Sequence, residues 1–230
     1  MNDDDDWLWQ GELAITHRLV DASNATLFGE IANYGPVIYK PIAGERPLWD
    51  FPDGTLADRE VAAFKISQYL GLGIVPPTVM RDGPFGQGMV QRWIEIDETL
   101  DVINVAQGDD HRIRRLALFD CLINNTDRKF GHILIDRSGS IFGCDHGVTF
   151  HHEDKLRTVI WQFAGKEFSD EEIKVLDQLT EHQNQIREIL TPHLSKLEID
   201  SFLERVRKLQ RDSSFPQPSS QWPAIPWPPV

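Results

Sequence analysis

Cysteine is scarce. Only Cys121 and Cys144 occur, which excludes a disulfide framework and leaves no cysteine spacing for a metal site. No stretch reaches the roughly 18 consecutive apolar residues that cross a bilayer. The acidic start, MNDDDDWLWQ, lacks the basic and apolar regions of a signal peptide. Positive charge is also short: 23 Lys and Arg face 36 Asp and Glu, a net charge of −13. A field of that sign repels phosphate backbones and anionic headgroups, so nucleic acid is not an expected partner. Any anionic ligand must be gripped by local cations. No Lys- and Arg-rich amphipathic helix offers itself to a membrane surface, and no internal repeat is visible. The expected location is cytoplasmic, with no transmembrane segment; oligomeric state leaves no mark in the sequence.

What is present suits a folded chain, since 40% of residues are hydrophobic and 26% charged. Apolar or alternating runs predict strands over Leu13 to Val20, Ala25 to Ile31 and Val37 to Ile42, an antiparallel meander. A long loop leads to a helix with apolar positions Val61, Ala62, Ile66, Tyr69 and Leu70. Thr55 and Asp58 resemble a capping box at its start, and Gly71 is its stop. A strand pair follows, Thr78 to Arg81 and Gln87 to Ile94, turned by Asp82-Gly83-Pro84. Residues 111–124 read as a buried helix, with two short strands after it, Ile133 to Asp136 and Ser140 to Cys144. From Ser169 onward the pattern is helical, opened by the capping box SDEE, and another helix covers Leu197 to Arg211. The last 18 residues carry six prolines and two tryptophans, which forbids a helix or central strand there. They form either a flexible tail or a strap packed on the body.

Two groups of residues point to chemistry. Lys40 stands in the apolar run VIYKPI, where a lone ammonium needs an anionic partner or ligand. Glu60, on the next helix, is a candidate partner. The second group is NNTDRKFGHILIDRSGSIFGCDHGVTF, residues 124–150. Asp127 and Asp145 each sit in a loop beside a short strand, so a hairpin between them brings both to one cleft. That pattern suits phosphoryl transfer, in which one carboxylate orients the attacking hydroxyl and another holds a divalent metal. Lys129, close to Asp127 in the same loop, would neutralise the migrating phosphoryl group. The triplet His151, His152 and Glu153 is a weak metal candidate, because adjacent loop residues rarely converge on one ion. Arg128 either pairs with an acidic neighbour or contacts substrate; the sequence does not choose.

At VIYKPIAGERPLWDFPDGTLADREVAA, NNTDRKFGHILID and CDHGVTFH the chain resembles the small actinobacterial proteins of the phosphatidylinositol 3-/4-kinase-like superfamily, relatives of the HipA-type toxin kinases. The resemblance implies an α+β, two-lobed protein-kinase-like or PI-kinase-like fold. A single domain over 1–230 would hold a β-rich N-lobe (about 8–95) and a helical C-lobe (about 96–212), with residues 213–230 as tail. It further implies that Lys40 and Glu60 position ATP, that Asp127 is the catalytic-loop aspartate with Lys129 beside it, and that Asp145 binds metal. Ser23 and Asn24 fall where the phosphate loop lies, and Val90, Gln91 and Trp93 where the adenine hinge lies. One departure stands out: His132 replaces the usual second metal-binding asparagine. Imidazole suits Mn²⁺ better than Mg²⁺. The first hairpin also lacks a GxGxxG loop.

The expected function is therefore ATP-dependent transfer of the γ-phosphate to a hydroxyl, with Mg²⁺ or Mn²⁺. The alternative is a non-catalytic ATP-binding pseudokinase serving as a regulatory module. For the acceptor, a protein side chain or small molecule ranks ahead of a lipid.

Overall fold

The computed structural model describes residues 7–19, 24–52 and 54–230. The N-terminal part is a five-stranded antiparallel sheet built from β1 (Leu13–Arg18), β2 (Leu27–Ile31), β3 (Gly35–Pro41), β4 (Thr78–Gly83) and β5 (Gly86–Arg92), after a short helix α1 (Trp7–Gln10). The strand order is β1-β2-β3-β5-β4, which makes β3 the central strand. Its alternation sets the geometry of everything that follows. Val37 and Tyr39 join Leu8, Leu13, Val79 and Val90 on the outer face. Ile38 joins Met89, Ala57 and Val61 on the opposite face, and period 2 turns Lys40 the same way. Gly88 lets β5 close against this strand, because a Cβ there would lie 2.4 Å from the Lys40 carbonyl oxygen. The β4–β5 turn falls at Pro84-Phe85, between the paired Gly83 and Gly86, slightly beyond the expected Asp82-Gly83-Pro84.

Helix α2 (Leu56–Tyr69) covers the inner face. Thr55 caps it by accepting from the Asp58 amide at 3.0 Å, and its hydroxyl donates to Asp58 Oδ2 at 2.7 Å. The reciprocal contact is thus made to the hydroxyl in place of the capping-box backbone amide. The Glu45 carboxylate accepts from the Leu56 and Ala57 amides at 3.0 and 2.8 Å, so an anion also meets the positive end of the helix. Gly71, with φ +63°, ends it.

The rest is mainly helical: α3 (Val102–Gln107), α4 (His111–Ile123), α5 (Asp170–Glu181), α6 (Gln183–Leu190) and α7 (Lys196–Asp212), with the hairpin β6 (Ile133–Ile135) and β7 (Ile141–Gly143). Capping boxes at Ser169/Glu172 and Ser195/Glu198 start α5 and α7. Helix α3 had no expected counterpart; it is a single short element capped by Asp101, too brief for periodicity to reveal. Ile186 belongs to α6, because the chain breaks at His182. Leu116, Phe119, Leu122, Phe150, Phe163, Phe202 and Val206 are part of the main core. Arg59 of α2 ties the two parts together through Glu198 Oε1 at 2.5 Å and the Thr149 carbonyl at 3.2 Å. No described helix is long and apolar enough to cross a membrane.

Candidate active site

The sheet and α2 supply the first cluster. Lys40 Nζ donates to Glu60 Oε1 at 2.6 Å and to Asp145 Oδ1 at 2.6 Å. Glu60 Oε2 accepts from the His146 amide at 2.9 Å. One buried glutamate therefore joins the strand lysine to the loop after β7. Burial works against the charge of Lys40, and the Asp145 and Glu60 carboxylates overcome it, pushing the ammonium pKa up. Burial pushes the Glu60 carboxyl up, against the pull of Lys40. The Lys40 ammonium holds Asp145 well below the usual carboxylate range, against the opposing effect of partial desolvation. Asp145 also has φ +58°, left-handed backbone that a non-glycine residue adopts at a cost. Its carboxylate stays 47% exposed while that of Glu60 is 1% exposed, so only Asp145 is open to a ligand.

The second cluster hangs from α4. Asn124 ends that helix in left-handed conformation, φ 52°, and turns the chain into the loop carrying Asp127, Lys129 and His132. Arg128 is fully buried and uses all its N–H donors. Its Nε and Nη2 donate to Asp120 Oδ2 and Oδ1, both at 2.9 Å. Its Nη1 donates to the carbonyls of His132 and Cys144 at 2.9 and 3.0 Å. Nη2 also donates to His146 Nε2 at 2.8 Å. That bond leaves the His146 proton on Nδ1, and burial followed by the nearby Arg128 charge keeps this ring neutral. Arg128 thus holds the Asp127 loop, the end of β7 and the Asp145 loop in one register. Gly143 makes room, since a Cβ there would stand 2.9 Å from Arg128 Nη2.

The loop carries Asp127, Lys129 and His132, and His132 links it to Asp145. His132 Nδ1 donates to the Asp127 carbonyl at 2.9 Å, because a carbonyl can only accept. Its Nε2 lone pair consequently faces Asp145 Oδ2 at 3.3 Å. Burial lowers the His132 pKa, against the pull of Asp145, and favours that neutral ring. Two acceptors set face to face want a cation between them, so the donor set fits a divalent metal. One nitrogen and one oxygen suit Mn²⁺ better than Mg²⁺. Asp127 receives the Asn125 side chain on its amide at 3.0 Å. Burial pushes its carboxyl up, against Lys129, whose Nζ lies 3.5 Å from Asp127 Oδ2.

Lys40, Glu60, Asp127, Lys129, His132 and Asp145 therefore form one continuous cluster. Of the other expected positions, Asn24, Val90, Gln91 and Trp93 are described. Ser23 lies outside the described residues. Asn24 Oδ1 accepts from the Arg46 amide at 2.9 Å, tying two loops together. Val90 points its side chain to the outer face of the sheet. The Gln91 amide is committed to Thr78 Oγ1 at 2.8 Å. Trp93 stands edge-on to Phe28 at 5.1 Å and lines a groove of about 330 Å³ with Ile94 and Phe142. At His151, His152 and Glu153, the Lys155 ammonium lies 3.2 Å from both His151 Nε2 and Glu153 Oε2, where a metal would otherwise sit. Arg128 and Asp120 were the missed pair. The signal was a lone carboxylate in the apolar helix LALFDCLI, which demands a buried cation.

No family model matches the chain. Over 96% of its length it is 38% identical to Protein Rv2133c of Mycobacterium tuberculosis, 93% of which is covered. The chain belongs to the family of Protein Rv2133c. Among solved structures, the Golgi casein kinase with Mn/ADP bound superposes with a TM-score of 0.62 at 13% identity, covering 89% of this chain and 73% of that one. Hydra Fam20 with sugar gives 0.58 at 13%, covering 88% and 85%. The Helicobacter pylori proinflammatory kinase CtkA gives 0.53 at 14%, covering 90% and 94%. At such identities the shared property is the fold: this family member has a two-lobed, kinase-like α+β architecture.

Proposed function

We propose that this protein is an ATP-dependent phosphotransferase that transfers the γ-phosphate of ATP to a hydroxyl acceptor. The observation that carries the reading is Lys40 Nζ, 2.6 Å from both Glu60 and Asp145, with Asp127 and His132 beside them. Lys40, steered by Glu60, binds the ATP phosphates. Asp145 and His132 would hold a divalent ion, which would supply charge neutralisation on those phosphates. Asp127 accepts the proton as the acceptor oxygen bonds to the γ-phosphorus and the bond to the bridging oxygen of ADP breaks. The carboxyl that burial pushes up is suited to take that proton. Lys129 offsets charge on the group in transit.

The neighbour solved with Mn/ADP supports nucleotide and metal use in this fold, and the His132 nitrogen favours Mn²⁺ in this chain. The order of Lys40, Glu60, TDRK and DHG supports a finer kinship with the phosphatidylinositol 3-/4-kinase-like proteins, in one domain over 1–230. Two unpaired cysteines support a cytoplasmic setting. His132 in place of an oxygen ligand is the observation that favours the second reading, a non-catalytic ATP-binding module.

The test is ADP release from ATP by the purified protein in Mg²⁺ and in Mn²⁺, with Asp127→Asn as control. Turnover that is faster in Mn²⁺ and falls at least about 100-fold in the variant is expected. Saturable ATP binding without turnover in either metal selects the second reading.

A further inference from the structure

Residues 213–230 contain no helix or strand after the α7 cap, yet the chain is held along most of this length. Phe215 is buried against Phe163 and Phe168. Farther on, the Trp222 ring lies 4.7 Å from Lys155 Nζ. The Ala224 carbonyl accepts from the Thr158 amide at 3.0 Å and from Trp161 Nε1 at 2.8 Å. Pro226 is buried, and the Pro229 carbonyl accepts from the Phe130 amide at 2.9 Å. The Pro/Trp-rich end is thus a strap. Its prolines contribute carbonyl acceptors and no N–H groups of their own to satisfy.

The position of the strap matters more than its stability. Phe130 lies in the Asp127 loop. Residues 157–159 run alongside that loop, with the Arg128 amide bonded to the Arg157 carbonyl and the Val159 amide to the Arg128 carbonyl, both at 3.1 Å. Arg128 and Thr158 form an isolated parallel bridge, and an extended polypeptide would reach this loop by bonding to its free backbone donors. Here the amides of Thr158 and Phe130 are already taken by the strap. Access for something smaller persists, because the side chains of Asp127 and Asp145 are 28% and 47% exposed.

We propose that the strap closes the polypeptide-binding edge of this site, so that the acceptor is a small hydroxyl compound and not an extended protein segment. This rests on the phosphotransferase reading. The experiment uses the full chain and its Trp222→Ala/Pro226→Gly variant. It follows ADP release, label transfer from γ-labelled ATP to dephosphorylated casein, and amide exchange at Phe130 and Thr158. The expected result is slow exchange and no casein labelling in the wild type, with exchange rising at least about ten-fold and casein labelling becoming measurable in the variant. If the double variant does not fold, Trp222→Ala alone is read the same way. Casein labelling by the wild type at the rate of the variant overturns the proposal. So does faster exchange with ADP release but no gain in labelling, or unprotected Phe130 and Thr158 amides in the wild type. Absence of ADP release from every form instead fails the phosphotransferase reading, while the wild-type exchange still judges whether the strap is docked.

Discussion

The two halves of the site are held by different means. On the sheet side, Lys40 Nζ is held, among the described residues, by the carboxylates of Glu60 and Asp145, partners that the proposed phosphate and metal would take over. On the helical side, the Asp127 loop is anchored by Arg128, a buried fork satisfied on every N–H by groups that no ligand replaces. One half is built to exchange partners and the other to keep them. Substitutions in the first should alter binding and turnover, and those in the second should alter folding.

Arg128→Met is the harshest test of this contrast. It leaves Asp120 as an uncompensated buried carboxylate, and urea denaturation should show a loss of about 3–5 kcal/mol. Adding Asp120→Leu should recover a large part of that loss; no recovery would mean that the backbone contacts, not the ion pair, carry the energy. Gly143→Ala comes next. Its methyl group meets Arg128 Nη2 and Leu116 Cδ1 at 2.9 and 3.0 Å, and a cost of about 1–3 kcal/mol is expected in the same measurement. Lys40→Met should reverse the pattern. Glu60 keeps the His146 amide and can take up a proton, so stability should fall by about 1–3 kcal/mol, less than for Arg128→Met. ATP affinity measured by calorimetry should fall at least about ten-fold; a large stability loss with intact affinity would break the comparison. Thr55→Ala is the mildest, about 1 kcal/mol from a lost cap, with ATP affinity unchanged.

Much of the fold was legible because its signals are local. The alternation around Lys40, the caps at Thr55 and Ser169 and the stop at Gly71 act through neighbours in the chain, so periodicity and capping chemistry disclose them. Lys40, Glu60, Asp127, Lys129 and Asp145 were legible through order and spacing, whereas His132 entered only through the family resemblance. Helix α3 was not, because six residues hold too little periodicity. The outward turn of Val90 and the Thr78 partner of Gln91 depend on which face of the sheet each strand position takes, and that requires the pairing register.

Composition and spacing by themselves determined that this chain folds, that its field repels polyanions, and that a lysine, a glutamate and two aspartates stand in an order suited to phosphoryl transfer. Tertiary structure alone decided what Arg128 does, which His132 nitrogen faces Asp145, and that the proline-rich end is a strap. Each of these depends on groups distant in sequence meeting at hydrogen-bonding range. The physical reason is burial: an arginine without water must find every acceptor within the fold, and only the packed chain says where those acceptors are.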